Sequence, residues 1–471
     1  MTEDHAPGLE RAFVAPADQH CAPRVEGEVP AFLRGTYYLN GPACFERGGQ
    51  PYRHWLDGDG MVCALRFGEE GARLTARYVR GTRRTEEEAA GRPLYRSFGT
   101  AFPDDKLVRG VALESPLNVS IYLFGGRLLA FGEQGLPWEL DPETLETRGP
   151  FAFGGALNPL SPFAAHPKVD PATGELFNFG VNFAAAEPVL NLYRFDAGGD
   201  LVYRRRLPLG IPASIHDFIL SERHAIFHVG PYLVDMSRLA AGGTLMDALR
   251  WEPERGSRLL VVRREDGEVA ASVPVGNRYV LHGINAFEAF EDGDRLTVDA
   301  VELDRPVYDQ YRLDDLFVDV GPGRPVRFEI DLTSGALLAA REIAYDRAPD
   351  FPAIDPGLIG RPYEDLWMLG ISKMGKPGRK FFDEVAHLSW AHPERADVWQ
   401  APPGHYLGGE PAFAPNPAGG GAVICQRFDA EKGESAFLVF DAFDVAAGPV
   451  ATLPLDNPVH LGFHAVFHPE G

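Results

Sequence analysis

Over roughly four hundred residues this chain alternates short β-type runs with tight turns, and no long helical periodicity interrupts the pattern. Runs such as Val119-Ser120-Ile121-Tyr122-Leu123-Phe124, Arg127-Leu128-Leu129-Ala130-Phe131 and His224-Ala225-Ile226-Phe227-His228-Val229 read as strands. Between such runs stand turn sequences: Phe124-Gly125-Gly126-Arg127, Asp170-Pro171-Ala172-Thr173-Gly174, Asp196-Ala197-Gly198-Gly199-Asp200, Glu265-Asp266-Gly267 and Asp292-Gly293-Asp294. The 52 glycines and 40 prolines, spread through the chain, suit hairpins better than helices. So many hairpins exceed what one sandwich uses, so an all-β propeller is predicted. Its blades must be diverged, because no WD or kelch type of repeat is visible.

At 471 residues the chain is longer than a usual single domain, but large all-β units reach such lengths. Residues 1–30, polar and proline-containing, are expected to form a leader that wraps the fold before a first strand at Gly35-Thr36-Tyr37-Tyr38-Leu39. Residues 31–471 are expected to form one propeller domain. The most helix-like stretch, Val234 to Trp251, is broken by Gly242 and Gly243 and reads as an excursion from the blades.

Lys and Arg number 45 against 67 Asp and Glu, a net charge of −22 that repels nucleic-acid backbones. A nucleic-acid partner is not expected. Cys21, Cys44, Cys63 and Cys425 form no C-x-x-C pair, which argues against a zinc knuckle or a disulfide framework and suits a reducing, cytoplasmic setting. Met1-Thr2-Glu3-Asp4-His5-Ala6-Pro7 lacks the basic and apolar regions of a signal peptide, and no apolar run approaches about 18 residues. The nucleotide-loop, zincin and serine-elbow motifs are absent.

Of the 14 histidines, local context separates four. His166 lies in Phe163-Ala164-Ala165-His166-Pro167-Lys168-Val169-Asp170 and His216 in Ala213-Ser214-Ile215-His216-Asp217-Phe218-Ile219-Leu220. His282 lies in Tyr279-Val280-Leu281-His282-Gly283-Ile284-Asn285-Ala286-Phe287-Glu288 and His464 in Leu461-Gly462-Phe463-His464-Ala465-Val466-Phe467. Apolar or small neighbours imply burial, and a buried imidazole needs a partner. The four stand 50, 66 and 182 residues apart, too far for a local clip but compatible with successive blades facing one axis. Spacing suggests a shared metal site without naming the ion, since imidazole suits iron, zinc, copper and nickel.

At these residues the chain resembles the carotenoid cleavage oxygenase family, from about residue 25 onward. The resemblance is carried by several motifs in order: Gly35-Thr36-Tyr37-Tyr38-Leu39-Asn40-Gly41-Pro42, His54-Trp55-Leu56-Asp57-Gly58-Asp59-Gly60-Met61-Val62, Glu133-Gln134-Gly135-Leu136-Pro137-Trp138, Ala165-His166-Pro167-Lys168, Ile215-His216-Asp217-Phe218, His282-Gly283-Ile284-Asn285, Glu410-Pro411-Ala412-Phe413 and Gly462-Phe463-His464. It implies a seven-bladed β-propeller capped by loops and short helices that enclose a substrate tunnel. One iron(II) per chain would stand on the axis, held by His166, His216, His282 and His464. It further implies that Glu133 and Glu410 take the second ring nitrogens of His216 and His464. The family's third glutamate is Asp350 here, one methylene short, about 1.5 Å of reach to His282; we expect Asp350 to keep the role. Val119 matches a position that the family sets beside an open iron site. Asp57 and Asp59, in a Gly-rich motif, read as a structural tight turn.

The activity implied is dioxygenase cleavage of a carbon–carbon double bond in a carotenoid or apocarotenoid, with O2 as co-substrate and two carbonyl products. Stilbene cleavage is the alternative, although stilbene-cleaving relatives resemble one another in a lysine directly before the first glutamate, where this chain has Gly132. A non-catalytic ligand-binding propeller is the reading from another class. A monomer is expected, with residues 231–251 as a candidate for peripheral membrane contact.

Overall fold

The structure is a computed structural model that describes residues 4–108, 112–183, 187–289 and 294–470; the turn read at Asp292-Gly293 falls outside them. Seven antiparallel sheets follow one another around a ring. Their inner strands are Ala465–Pro469 (blade one), Ser120–Phe124 (two), Lys168–Val169 (three), Ile219–Leu220 (four), Tyr279–Ala289 (five), Ala348–Ala353 (six) and His405–Pro415 (seven). In blades two to six each later strand pairs outward from the one before. The last strand of the chain pairs with the first long one, Leu39 opposite Ala465 and Gly35 opposite Pro469, and this joins the two ends of the chain within blade one.

The strands form for the reason the sequence suggests, alternation between two packed faces. In Arg295–Leu303 nearly every side chain is buried, because neighbouring blades cover both faces of the sheet. The outer strand Ala336–Glu342 alternates with solvent instead.

Strands begin earlier than Gly35. Gln19–Cys21 adds an outer edge to blade one and Glu26–Gly27 to blade seven. Edge strands need pairing on one side only, so these polar residues carry no alternation to be read. Ala6, Leu9 and Ala12 are buried in the largest core cluster, and Phe13 sets its ring edge against Phe45 at 5.4 Å.

Long connections gather over one end of the ring. Residues 231–251 are such an excursion: the hairpin Tyr232–Val234 with Leu249–Trp251 carries two short helices, Met236–Ala240 and Leu245–Ala248. Leu245 and Leu249 pack against the core, while Met236, Arg238, Asp247 and Arg250 face solvent. Met246 N–H donates to the Phe98 carbonyl at 3.1 Å, and His54 Nε2 lies 2.8 Å from the Tyr308 carbonyl, so the connections cap one another. No described helix is long and apolar enough to cross a membrane.

Asp57 and Asp59 do more than turn the chain. Asp57, fully buried, accepts from Gly99 N–H at 2.9 Å and Thr100 Oγ1 at 2.6 Å, fixing the loop that carries Phe98 into the cap. Asp59 is ringed by Arg47, Arg84 at 2.9 Å and Arg83 at 3.9 Å. Removing one member of such a buried ion cluster leaves the others uncompensated. Asp59→Ala is therefore expected to cost about 3–5 kcal/mol of stability, measured by urea unfolding; a loss under about 1 kcal/mol would contradict the assignment.

Candidate metal centre

In six of the seven blades the inner strand is irregular or just beginning at one level of the ring, and there it presents one histidine or carboxylate. His166, His216 and His464 stand one to three residues before the inner strands of blades three, four and one. Beside His464 and His166 the backbone is held by second strands: Phe463 N–H donates to the Asn40 carbonyl at 2.8 Å and Asn40 N–H to the His464 carbonyl at 3.0 Å. Asn178 Nδ2 similarly donates to the Ala164 carbonyl, at 2.9 Å. In blades five, six and seven the strand runs through, but a bulge interrupts it. The register shifts around Gly283, between Asp350 and Ala353, and between Gly408 and Ala412, so His282, Asp350 and Glu410 lie at or inside bulges. A bulge bends the strand and re-aims its side chains, here toward the axis.

Four imidazoles meet there, all buried, with their nearest nitrogens within 4.8 Å of one another. His166 Nε2 and His216 Nε2 are 2.9 Å apart. Two nitrogens bound at right angles to one ion, at about 2.1 Å each, stand about 3 Å apart. Neighbouring rings sit edge to face, with centroids 4.4 Å apart for His166 and His464 and 4.8 Å for His282 and His464.

Three of the rings are turned by carboxylates. His216 Nδ1 lies 2.9 Å from Glu133 Oε2, His282 Nδ1 2.6 Å from Asp350 Oδ1 and His464 Nδ1 3.1 Å from Glu410 Oε2. An Nδ1–H donated to a carboxylate leaves the Nε2 lone pair free, the tautomer a metal needs. His166 pairs with no carboxylate among the described residues. Burial, then the three neighbouring imidazoles, hold its pKa well below the usual value, so it stays neutral. Burial also lowers His464, with Glu410 opposing. For His282 burial is outweighed by the Asp350 carboxylate, and its pKa rises. His282 Nε2 is buried without any hydrogen-bond partner, an orphan that an ion among the four rings would satisfy. Among the described residues this is the one cluster able to hold a metal.

The methylene missing at Asp350 is made up by the backbone. Phe351 takes φ +54, unusual for an aromatic residue, inside the bulge that separates the Asp350–Leu369 pair from the Ala353–Trp367 pair. The kinked strand brings the shorter carboxylate to His282, and the Phe351 ring packs against His282 and His464 at 5.6 and 5.2 Å. Tyr311 Oη donates to Asp350 Oδ2 at 3.4 Å, and the Tyr308 ring stands edge-on to His216 at 6.0 Å. Nothing in Val307-Tyr308-Asp309-Gln310-Tyr311 marks these tyrosines in the sequence. Val119 is buried, and its carbonyl accepts from His464 N–H at 3.3 Å.

Space is divided unequally around the rings. The residues that follow the ligands along the inner strands line a chamber of about 500 Å³, which reaches His166, His282, His464 and Glu410. On the side of the residues that precede the ligands, under the cap, Phe98, Glu133, Phe163, Leu245 and Tyr308 leave a hollow of about 40 Å³.

A seven-bladed propeller with four axial histidines and three carboxylates turned to them defines a small class of proteins. The chain belongs to the retinal pigment epithelial membrane protein family, the carotenoid cleavage oxygenases, whose model matches residues 14–469. It is 31% identical to the apocarotenoid-15,15'-oxygenase of Synechocystis sp., over 93% of this chain and 91% of that one. It is 30% identical to the isoeugenol monooxygenase of Pseudomonas nitroreducens, over 95% and 94%. It is 27% identical to lignostilbene-alpha,beta-dioxygenase isozyme III of Sphingomonas paucimobilis, over 93% and 92%. A solved structure of a Synechocystis apocarotenoid oxygenase variant superposes with a TM-score of 0.89 at 26% identity, over all of both chains.

Proposed function

We propose that His166, His216, His282 and His464 hold one iron(II) ion and that the protein is a dioxygenase, cleaving a carbon–carbon double bond of a carotenoid or apocarotenoid into two carbonyl products. The observation that carries this reading is the donor set: four buried imidazoles whose ring nitrogens converge, with three Nδ1 atoms bound to carboxylates so that their Nε2 atoms face the centre. Iron(II) bound there would supply the activation of O2. The side chains of the chain do the rest. Glu133, Asp350 and Glu410 would fix the rings, and Val119 is buried beside them, its carbonyl accepting from His464 N–H. Phe98, Phe163 and Leu245 exclude water, and the apolar walls orient the double bond. The reading requires no side chain as general acid or base, since both oxygen atoms end as carbonyls.

Two observations bear on substrate class. Gly132 offers no phenol-holding lysine before Glu133, and it is closely packed: a Cβ there would lie 2.1 Å from Ser115 Oγ and 3.0 Å from Leu117 N, so a larger residue would require both to shift. This supports the polyene reading. The likeness to isoeugenol- and lignostilbene-cleaving relatives supports instead a short aryl alkene. Mass spectrometry after aerobic incubation with carotenoids, apocarotenals, stilbenes and isoeugenol separates them. Paired carbonyl products from a polyene, both labelled from isotopic O2, are expected. Cleavage of aryl alkenes alone would transfer the assignment to them. Failure of the pure chain to load stoichiometric iron(II) would leave a non-catalytic propeller.

A further inference from the structure

The geometry points to Asp217 as a positioning residue: one carboxylate, with Lys168 as its counter-charge, sets three of the four ligand-bearing strands relative to one another. The inference rests on the metal reading above. Asp217 follows His216 directly and its side chain is 3% exposed, yet its carboxylate bonds backbone N–H groups and Lys168 rather than a ligand ring. Its Oδ1 accepts from Phe218 N–H at 2.7 Å and from Lys168 Nζ at 2.8 Å. Its Oδ2 accepts from Gly283 N–H at 3.0 Å. Lys168 stands two residues after His166, and Gly283 one residue after His282. One buried group therefore joins blades three, four and five immediately beside their ligands.

The partners are arranged for this contact. The register of Tyr279–Ala289 shifts on both sides of Gly283, and its N–H is directed to the neighbouring blade. A Cβ at Gly283 would lie 2.2 Å from Ile219 Cγ1, so only glycine lets blade five approach blade four this closely. The fourth ligand is tied in a similar way by its own carboxylate, since Glu410 Oε2 accepts from Ala465 N–H at 3.3 Å as well as from His464. Removing the Lys168 charge leaves Asp217 ionised, buried and under-partnered, and frees blade three to shift against blade four. His166, the ligand without a carboxylate of its own, moves with it.

Cobalt(II) is a suitable probe, as the Synechocystis relative has been solved in a cobalt-substituted form, and its absorption spectrum reports ligand geometry without turnover. Lys168→Met keeps the aliphatic stem and removes the charge. It is expected to fold, to bind cobalt(II) about 10–100-fold more weakly and to show a shifted ligand-field spectrum. Lys168→Arg should restore both. Lys168→Gln serves if the methionine variant does not fold. An unchanged affinity and spectrum in Lys168→Met, or in Lys168→Gln, would overturn the proposal, as would arginine failing to rescue. In either case the parent chain still binds cobalt(II) at one per chain. A parent chain that binds none refutes the metal reading itself, and the positioning role with it.

Discussion

Asp350→Asn is expected to lower iron(II) affinity about 10–100-fold while leaving the fold intact, and His282→Ala to abolish stoichiometric loading and turnover. The asparagine Oδ1 can still accept from His282 Nδ1, so the ring keeps its tautomer. What is lost is a negative charge 2.6 Å from the imidazole, which makes Nε2 a stronger donor. That carboxylate also accepts from Phe351 N–H at 2.8 Å and from Tyr311, so its position is fixed from three sides. Asp350→Glu, although it restores the side chain implied by the family resemblance, is not expected to act as a repair. The bulge and the left-handed Phe351 already supply the missing length, and an added methylene at this buried position overpacks it, costing about 1–3 kcal/mol. Anaerobic titration against a competing chelator measures the affinity, and thermal unfolding separates it from folding. If Asp350→Asn loads iron and turns over like the parent, the carboxylate has no such role.

The ligands were legible because each interrupts an apolar run at the point where an inner strand begins or bulges. His216 between Ile215 and Phe218, or His464 between Phe463 and Val466, has flanks that predict burial, and burial of an imidazole predicts a partner. The carboxylates were legible only by resemblance, since nothing in the spacing of Glu133 or Glu410 points to a histidine more than fifty residues away. Other features leave no trace in the pattern. Lys168–Val169 and Ile219–Leu220 are two-residue strands, too short for alternation. The bulge at Asp350-Phe351-Pro352 changes reach without changing hydrophobicity. Asp57 and Asp59 read only as a tight turn, because the partners that hold them, Gly99 and Thr100 for Asp57 and Arg47, Arg83 and Arg84 for Asp59, come from other elements. Cavity shape depends on which side chains meet across the cap, and Leu245 reaches Phe98 and Glu133 only through the tertiary fold.

Acidification from pH 7 to pH 5 is expected to remove about 4 kcal/mol of stability through two histidines outside the metal centre. Burial alone pushes His460 down to about 3, and both of its ring nitrogens lack a partner. Burial pushes His228 down to about 4, with its own backbone in slight opposition, and its Nε2 is unpartnered. The unfolded chain takes up protons at these residues near the ordinary value of 6.5, and the folded chain refuses them. Below 6.5 the unfolded state therefore binds more protons, and stability falls with pH until the folded values are reached. At pH 5 each group has cost about 2 kcal/mol, a large part of the 5–15 kcal/mol that holds a typical protein folded. The net charge of −22 shrinks over the same range, which relieves self-repulsion and acts in the opposite direction. His460→Leu separates the two effects, because it removes one titration and leaves the overall charge at pH 7 unchanged. Urea unfolding of metal-free parent and variant at both pH values should show the variant losing about 2 kcal/mol less. Replacing a ring with two unsatisfied nitrogens by an apolar group should itself be near neutral at pH 7. Equal losses in the two chains would mean that His460 takes up its proton in the folded state, with water reaching it before the propeller unfolds.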